Sequence, residues 1–178
     1  MINPFTLIST EKIYENPWVR LDEDRVEKDG KSGIFWVVTM KSGVAVLLID
    51  EENQVILSKE YKYALKRYDL NLPGWAMDSW ETPLECAKRE TEEELGYTAD
   101  EWISLGHIHP LTTTLIETEY LYLARGLTKT QKHDDIWEEI EEIHLPYQVV
   151  LEMAMNSEIT HAASVTAILK AQKYLWSQ

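Results

Sequence analysis

The first half of the chain alternates short apolar segments with turn residues, a pattern typical of β-strands. Residues 18–28 and 34–40 are rich in β-branched and aromatic residues, and they flank the turn-forming segment Lys28–Gly33. This arrangement predicts a β-hairpin. The continuous apolar run Val44–Ile49 predicts a strand buried on both faces. A further strand is expected from Val55 to Tyr61.

The second half mixes strand and helix patterns. We predict strands at residues 102–109, 120–124 and 139–145, followed by helices at about 147–156 and 161–176. The last helix carries apolar residues at helical spacing. These residues are Ala162, Val165, Leu169 and Trp176.

A helix with marked ends lies between the two halves. Thr82 can cap its N-terminus, Pro83 suits the first helical position, and Glu85 completes a capping box. Gly96 can adopt the left-handed conformation that commonly ends a helix. The sequence therefore predicts where this helix begins and where it ends.

Three glutamates of this helix, Glu90, Glu93 and Glu94, are spaced i, i+3 and i+4 and share one helix face. Like charges at this spacing repel one another, so their clustering suggests a bound cation. Hard cations such as Mg²⁺ and Mn²⁺ prefer oxygen ligands. Arg89 lies four residues before Glu93 and can orient it. The alternative is an ordinary solvated acidic face.

The spacing around these glutamates resembles the Nudix box, G-x5-E-x7-R-E-U-x-E-E-x-G-U, in which U is a bulky apolar residue. Six fixed positions of that motif match: Glu81, Arg89, Glu90, Glu93, Glu94 and Gly96. The resemblance implies structural roles for Glu81 and Gly96. It implies a metal site formed by the three clustered glutamates and a backbone carbonyl from the preceding loop, which we assign to Gly74.

The chain departs from the box at three positions. Trp75 occupies the place of the first glycine, with Gly74 displaced by one residue. Thr91 stands where an aliphatic residue is usual, and Tyr97 replaces the final aliphatic residue. We expect Thr91 and Tyr97 to alter only packing, whereas Trp75 changes the shape of the loop near the metal.

The flanking sequence narrows the resemblance to the ADP-ribose and nucleoside-diphosphate-sugar pyrophosphatase branch of the Nudix hydrolases. Lys59–Tyr63 followed by Leu72–Gly74 is similar to the R-Q-Y-R…L-P-A-G stretch of that branch, and Glu158–Ala162 is similar to G-E-I-T-D-A. Lys62 stands where a substrate-facing arginine is common. Asn71 replaces a usual glutamate.

This resemblance implies an α/β fold, namely a Nudix-type α/β/α sandwich with a mixed sheet and an N-terminal antiparallel β subdomain. We expect the subdomain to span residues 1–42 and to mediate dimerisation. The hydrolase domain is expected to span residues 43–178.

The reaction implied is metal-dependent hydrolysis of the diphosphate linkage in a nucleoside diphosphate linked to a sugar. Its products would be a nucleoside monophosphate and a sugar phosphate, and its cofactor Mg²⁺ or Mn²⁺. We assign catalytic roles to Arg89, Glu93, Glu94 and Glu117. Glu117 is the favoured general base, with Glu119 or a box glutamate as alternatives. The competing interpretation is a catalytically weak nucleotide-binding sensor of Nudix fold.

Five residues are candidates for binding the substrate, although each could equally be an ordinary surface or packing residue. The cationic candidates could hold phosphates, and the tryptophans could stack on a base or a sugar. They are Arg20, Arg25, Trp36, Lys62 and Trp75.

Composition restricts the possible partners. The chain has 178 residues, 44% of them apolar, which is ample for a core. Its net charge of −14 argues against binding nucleic acid through phosphates. Its single cysteine, Cys86, excludes a disulfide framework. Because we find neither a signal peptide nor a membrane-spanning stretch, we expect a cytoplasmic protein.

Residues 14–40 contain more apolar side chains than a two-stranded unit can bury by itself. Relatives in the resembling branch pack this region across a two-fold axis. The resemblance therefore implies an obligate homodimer in which Arg25 or Trp36 reaches the partner's site.

Overall fold

The computed structural model describes residues 3–131 and 140–175. Residue 139 of the predicted strand and Trp176 of the predicted last helix lie outside the described residues. The chain divides into two compact units. The first comprises Met1–Ser42 and His109–Thr118, and the second comprises Gly43–Ile108 and Glu119–Gln178.

The helices and strands of the described residues follow one another in this chain order: β1 (Thr6–Glu15), β2 (Val19–Lys28), β3 (Lys31–Met40), β4 (Gly43–Ile49), β5 (Gln54–Lys62), β6 (Arg67–Asn71), β7 (Gly74–Ala76), α1 (Pro83–Leu95), β8 (Tyr97–Ile108), β9 (Leu115–Ile116), β10 (Glu119–Lys129), β11 (Glu141–Pro146), α2 (Tyr147–Met155) and α3 (Ala162–Leu175).

The first unit is a sheet with strand order β1-β2-β3-β9. The first three strands are antiparallel, and β9 joins β3 in parallel. The β2–β3 hairpin is tighter than predicted, because Asp29 and Gly30 both adopt positive φ and turn the chain in two residues. Strand β1, whose side chains are all exposed, was not predicted from the sequence. A strand without a buried face has no apolar alternation to detect.

The second unit is built on a mixed sheet with strand order β11-β5-β4-β10-β8. Strand β6 pairs with β5, and β7 pairs with β4. Strands β4 and β10 run parallel, whereas the other pairs are antiparallel. All residues of β4 are buried, as the apolar run predicted.

The two faces of β4 define the layers of the second unit. Val44, Val46 and Leu48 lie in one buried cluster with residues of α1. The alternate residues of β4 lie in a second cluster with residues of α2 and α3. The predicted α/β/α sandwich with a mixed sheet is therefore confirmed, together with the antiparallel N-terminal strands.

Two strands are longer than predicted, and the second unit contains short strands that were not predicted. Strand β8 begins at Tyr97 rather than at residue 102, and β10 continues to Lys129 rather than ending at residue 124. The added segments pair with each other and carry many polar side chains. Strands β6 and β7 were missed because they are short and lack a sustained apolar pattern. None of the described helices is long and apolar enough to cross a membrane.

The helix that carries the clustered glutamates has the predicted ends. The Thr82 hydroxyl accepts a hydrogen bond from the Glu85 backbone N–H at 3.3 Å, and the Glu85 carboxylate accepts one from the Thr82 N–H at 2.8 Å. Gly96 adopts a φ of 66° and donates its N–H to the Glu92 carbonyl at 3.0 Å. Both ends of α1 are thus set by local contacts that the sequence encodes.

Thr91 offers a test of packing in this helix. Its side chain is 0% exposed, and its hydroxyl has no hydrogen-bond partner. A buried hydroxyl without a partner costs free energy, so Thr91→Val should raise the free energy of unfolding by about 1 kcal/mol. Thr91→Ser keeps the hydroxyl but loses a methyl group, so it should lower the free energy of unfolding. Guanidinium chloride denaturation measures both changes, and a destabilised Thr91→Val variant would contradict this account.

Candidate active site

A buried ion pair joins the loop before α1 to the helix itself. The guanidinium of Arg89 donates to Glu81 through Nε at 3.1 Å and through Nη2 at 2.9 Å. The Asp78 backbone N–H also donates to the Glu81 carboxylate, at 2.9 Å. The Glu81 side chain is 0% exposed. Hydrogen bonding from Arg89 lowers the pKa of Glu81 to about 2, so this carboxylate stays ionised.

The same guanidinium contacts the glutamate face of α1. Its Nη1 lies 2.8 Å from a Glu90 carboxylate oxygen and 3.0 Å from one of Glu93. The ring of Trp80 lies 5.9 Å from the guanidinium carbon. Arg89 therefore positions two of the three clustered glutamates while it is itself held by Glu81.

Cys86 lies beside the same carboxylate. Burial, together with the neighbouring Glu81 carboxylate, raises the pKa of its thiol to about 12. A thiol with this pKa stays protonated and is a poor nucleophile. The sequence predicted only a small helix residue here, because the contact with Glu81 depends on how the preceding loop folds.

Glu90 and Glu94 form the remaining part of the glutamate face. Partial burial raises the pKa of Glu90. Clustered carboxylates repel one another, and a cation bound between them would relieve that repulsion. Among residues 3–131 and 140–175, no three acidic, His or Cys side chains converge as a ready-made metal cluster. The hard oxygen donors and their crowding nevertheless fit a divalent cation.

The predicted loop residues lie on β7, which pairs with β4 and contacts α1. A Cβ on Gly74 would lie 2.8 Å from the Val44 carbonyl oxygen, so glycine is needed there. Trp75 packs partly buried against the α1 side of the core. Steric contact with Val44 thus explains why a glycine occupies position 74. The metal role of the Gly74 carbonyl stays a prediction.

Lys62 lies at the end of β5, where its ammonium group pairs with the Glu60 carboxylate. It is also close to His161, whose pKa is lowered by desolvation and further by the charge of Lys62. Lys62 is thus part of a small charged group at the β5–β6 hairpin. Its role in binding the substrate stays a prediction.

Four predicted site residues belong to the first unit. Arg20 pairs with Asp22 at 2.8 Å, and Arg25 pairs with Glu23 at 3.1 Å. Trp36 is exposed on β3. The backbone carbonyl of Glu117 lies 3.0 Å from Nδ1 of His109. The roles of Arg20, Arg25, Trp36 and Glu117 stay predictions.

Glu119, the alternative general base, lies in the second unit, at the start of β10. Its carboxylate oxygens lie 2.8 and 2.9 Å from the position that a Cβ on Gly43 would occupy. Because side chains alternate along β10, Glu119 shares its face with Leu121 and Leu123, which pack in the core with α3. Helix α1 packs on the other face. This geometry argues against Glu119 as the base.

The chain is similar to known proteins along most of its length. The family model described as the NUDIX domain matches residues 39–164. The chain is 28% identical to a methanol dehydrogenase activator of Bacillus methanolicus, over 90% of this chain and 89% of that protein. It is 26% identical to an ADP-ribose pyrophosphatase of Bacillus subtilis (strain 168), with the same coverage. A crystal structure of an ADP compounds hydrolase superposes with a TM-score of 0.87 at 18% identity, covering 100% of this chain and 97% of that one.

The Glu81–Arg89 pair predicts a pH dependence of stability. Because the pKa of Glu81 is lowered from 4.5 to about 2, its stabilising contribution is complete above pH 4.5 and is lost as pH falls toward 2. Glu81→Gln should lower the free energy of unfolding by about 3 kcal/mol at pH 6, and the difference from wild type should shrink at pH 3. Urea denaturation at both pH values measures this. Glu92→Gln, at an exposed position of α1, is the control. A Glu81→Gln deficit that does not change with pH would contradict the assignment.

Proposed function

This chain belongs to the NUDIX domain family and is a hydrolase of diphosphate linkages, and we propose that its substrates are nucleoside diphosphates linked to a sugar. The products are then a nucleoside monophosphate and a sugar phosphate. The observation that carries this proposal is the glutamate face of α1, which the buried Glu81–Arg89 pair holds in place. The similarity to an ADP-ribose pyrophosphatase supports an ADP-linked substrate.

The proposed cofactor is Mg²⁺ or Mn²⁺, held by Glu90, Glu93, Glu94 and the carbonyl of Gly74. A divalent cation bound there would neutralise charge on the phosphoryl oxygens and lower the pKa of a bound water. Other side chains of the protein orient these ligands. Arg89 keeps Glu90 and Glu93 oriented through its contacts at 2.8 and 3.0 Å.

The proposed general base is Glu117. In the proposed step, a water oxygen bonds to one phosphorus of the diphosphate while Glu117 accepts the water proton. The bond from that phosphorus to the bridging oxygen breaks, and the leaving phosphate carries the bridging oxygen away. Lys62, Arg20 and Arg25 are the proposed phosphate contacts, and Trp36 and Trp75 the proposed walls for the base or the sugar.

The first unit supports a proposed homodimer. It exposes large apolar side chains, among them Ile8 on β1 at 61% and Trp18 in the β1–β2 turn at 69%. Exposed apolar surface of this kind commonly marks a protein interface. We propose that two chains associate through this sheet and that the protein acts in the cytoplasm without binding nucleic acid or membranes.

A screen of nucleotide sugars tests the proposed reaction. Release of a nucleoside monophosphate from ADP-ribose, ADP-glucose, GDP-mannose or UDP-glucose would be followed with a coupled phosphatase. Turnover of at least one of them is expected. Tight binding of a nucleotide without turnover would instead favour the nucleotide-binding sensor.

The glutamate face predicts metal-dependent activity. Glu93→Gln and Glu94→Gln should each lower kcat by about a hundredfold or more, because each removes a carboxylate that would hold the cation. Glu92→Gln on the same helix is the matched control and should keep its kcat. Excess chelator should abolish wild-type turnover. Full activity in chelator would refute the proposed mechanism.

The choice of base is tested with two neighbouring glutamates. Glu117→Gln should lower kcat by about a hundredfold with a much smaller change in KM, since a base acts chiefly in the transition state. Glu119→Gln should have little effect on kcat, because Glu119 faces the side of the sheet that packs against α3. The reverse pattern in steady-state kinetics would assign the base to Glu119.

The proposed dimer predicts sensitivity to charge on the N-terminal sheet. Ile34 is exposed on β3, and Ile34→Glu should convert the dimer to monomers by placing a charge in an apolar interface of about 2,000 Å². Leu169→Glu, at an exposed position of α3, is the control. Light scattering at micromolar concentration measures both. A wild-type monomer with full activity would rule the dimer out.

A further inference from the structure

The C-terminal end of α1 is an unfavourable place for clustered carboxylates. Glu93 and Glu94 lie in the last turn, and this turn contains no basic residue. The carbonyl groups at a helix C-terminus carry partial negative charge, which adds to the repulsion among the glutamates. Arg89 pairs with Glu90 and Glu93 from the preceding turn, so any further cation at this end of the helix has to come from another part of the chain.

Lys129, at the end of β10, supplies that cation. Its Nζ donates a hydrogen bond to the Leu95 carbonyl at 3.2 Å. The next residue, Thr130, donates its backbone N–H to the Gly96 carbonyl at 2.7 Å. The end of β10 is thus bonded to the last residue of α1 and to its cap.

Lys129 is itself held by Tyr97 and Glu142. Its Nζ lies 2.8 Å from a Glu142 carboxylate oxygen and 3.8 Å from the centre of the Tyr97 ring. The Tyr97 hydroxyl donates to the other Glu142 oxygen at 2.5 Å, and His144 contacts that same oxygen. Tyr97 occupies the box position where an aliphatic residue is usual. An aliphatic side chain could offer Lys129 neither a π-face nor a hydroxyl that orients Glu142.

The side chain of Lys129 is protonated at neutral pH. Partial burial alone would lower the pKa of its ammonium group, but hydrogen bonds to Glu142 and Tyr97 raise it overall. Partial burial likewise opposes ionisation of Glu142, yet hydrogen bonds from Lys129, Tyr97 and His144 lower its pKa overall. The contact with the Leu95 carbonyl is therefore made by an ammonium ion.

We propose that Lys129 is a positioning residue for the metal site: it holds the last turn of α1 so that Glu93 and Glu94 stay on the metal-binding face, and Tyr97 and Glu142 fix Lys129 for that task. This inference rests on the proposed metal site at Glu90, Glu93 and Glu94. It assigns a function to the departure of Tyr97 from the family motif, which the sequence suggested was a matter of packing only.

The direction in which the loss of Lys129 changes cation affinity distinguishes a positioning role from simple electrostatics. If Lys129 acted only as a nearby positive charge, its removal would make cation binding tighter, by about fourfold for a divalent cation about 10 Å from a unit charge in water. If Lys129 holds the last turn, its removal frees Glu93 and Glu94 to leave the binding face. Cation binding then becomes weaker.

The test is a calorimetric titration of the full chain with Mn²⁺ in the absence of any substrate. Lys129→Met should raise the Kd for Mn²⁺ about fivefold, and Tyr97→Phe, which keeps the ring but loses the hydroxyl, should raise it less. Lys129→Arg should restore most of the affinity, since it keeps a cationic donor. Lys173→Met removes another lysine that lies over a tyrosine, 5.5 Å from the Tyr174 ring on α3, and should leave the Kd unchanged.

Hydrogen exchange gives a second readout. The backbone amides of Leu95 and Gly96 should exchange faster in Lys129→Met than in wild type, while those of the first turn of α1 should not change. An unchanged or lower Kd for Mn²⁺ in Lys129→Met would overturn the proposal. If Lys129→Met does not fold, an unchanged Kd in Tyr97→Phe would overturn it.

The outcome is distinguishable from failure of the proposed function. If Glu94→Gln binds Mn²⁺ as wild type does, the metal site itself is wrong. If Glu94→Gln loses Mn²⁺ but Lys129→Met retains full affinity, only the positioning role is wrong. Neither result depends on which nucleotide sugar is hydrolysed.

Discussion

The buried ion pair between Glu81 and Arg89 is the interaction on which the site depends. Three carboxylates on one helix face repel one another, and α1 tolerates them because one guanidinium lies among them. That guanidinium is in turn fixed by a carboxylate that is 0% exposed and that also accepts the Asp78 N–H. Because the pair is bidentate, it sets the orientation of Arg89 as well as its position. The loop before α1 and the glutamate face are therefore held as one piece.

The two ends of α1 are stabilised in different ways. At the N-terminus the contacts are local, since Thr82 and Glu85 cap each other within four residues. At the C-terminus Gly96 ends the helix locally, but the compensating charge comes from Lys129, 34 residues beyond Leu95 in sequence. The glutamates lie toward this second end. The part of α1 with the greatest electrostatic strain thus depends on tertiary contacts with β10 and β11.

The sheet of the second unit separates two chemical environments. One face of β4 packs with α1 below the glutamates, and the other packs with α2 and α3 in a purely structural core. Alternation along the strands then assigns each side chain to one side, which is why Glu119 and the box glutamates face different layers. The N-terminal sheet is different in kind, because its apolar residues are largely exposed.

The sequence by itself determined the parts of this protein that rest on local rules. The ends of α1 follow from Thr82, Pro83 and Gly96, the burial of β4 follows from an unbroken apolar run, and the spacing of Glu81, Arg89 and the glutamates identified the family. The strand β1 could not be predicted, since a strand exposed on both faces has no periodic apolar signal. Only the tertiary structure decided that Cys86 lies beside Glu81, that Glu119 shares its face of β10 with the core residues Leu121 and Leu123, and that Tyr97 and Glu142 hold Lys129 against Leu95. Those contacts join residues far apart in the chain, and the register and alternation of the strands, rather than spacing along the sequence, bring them together.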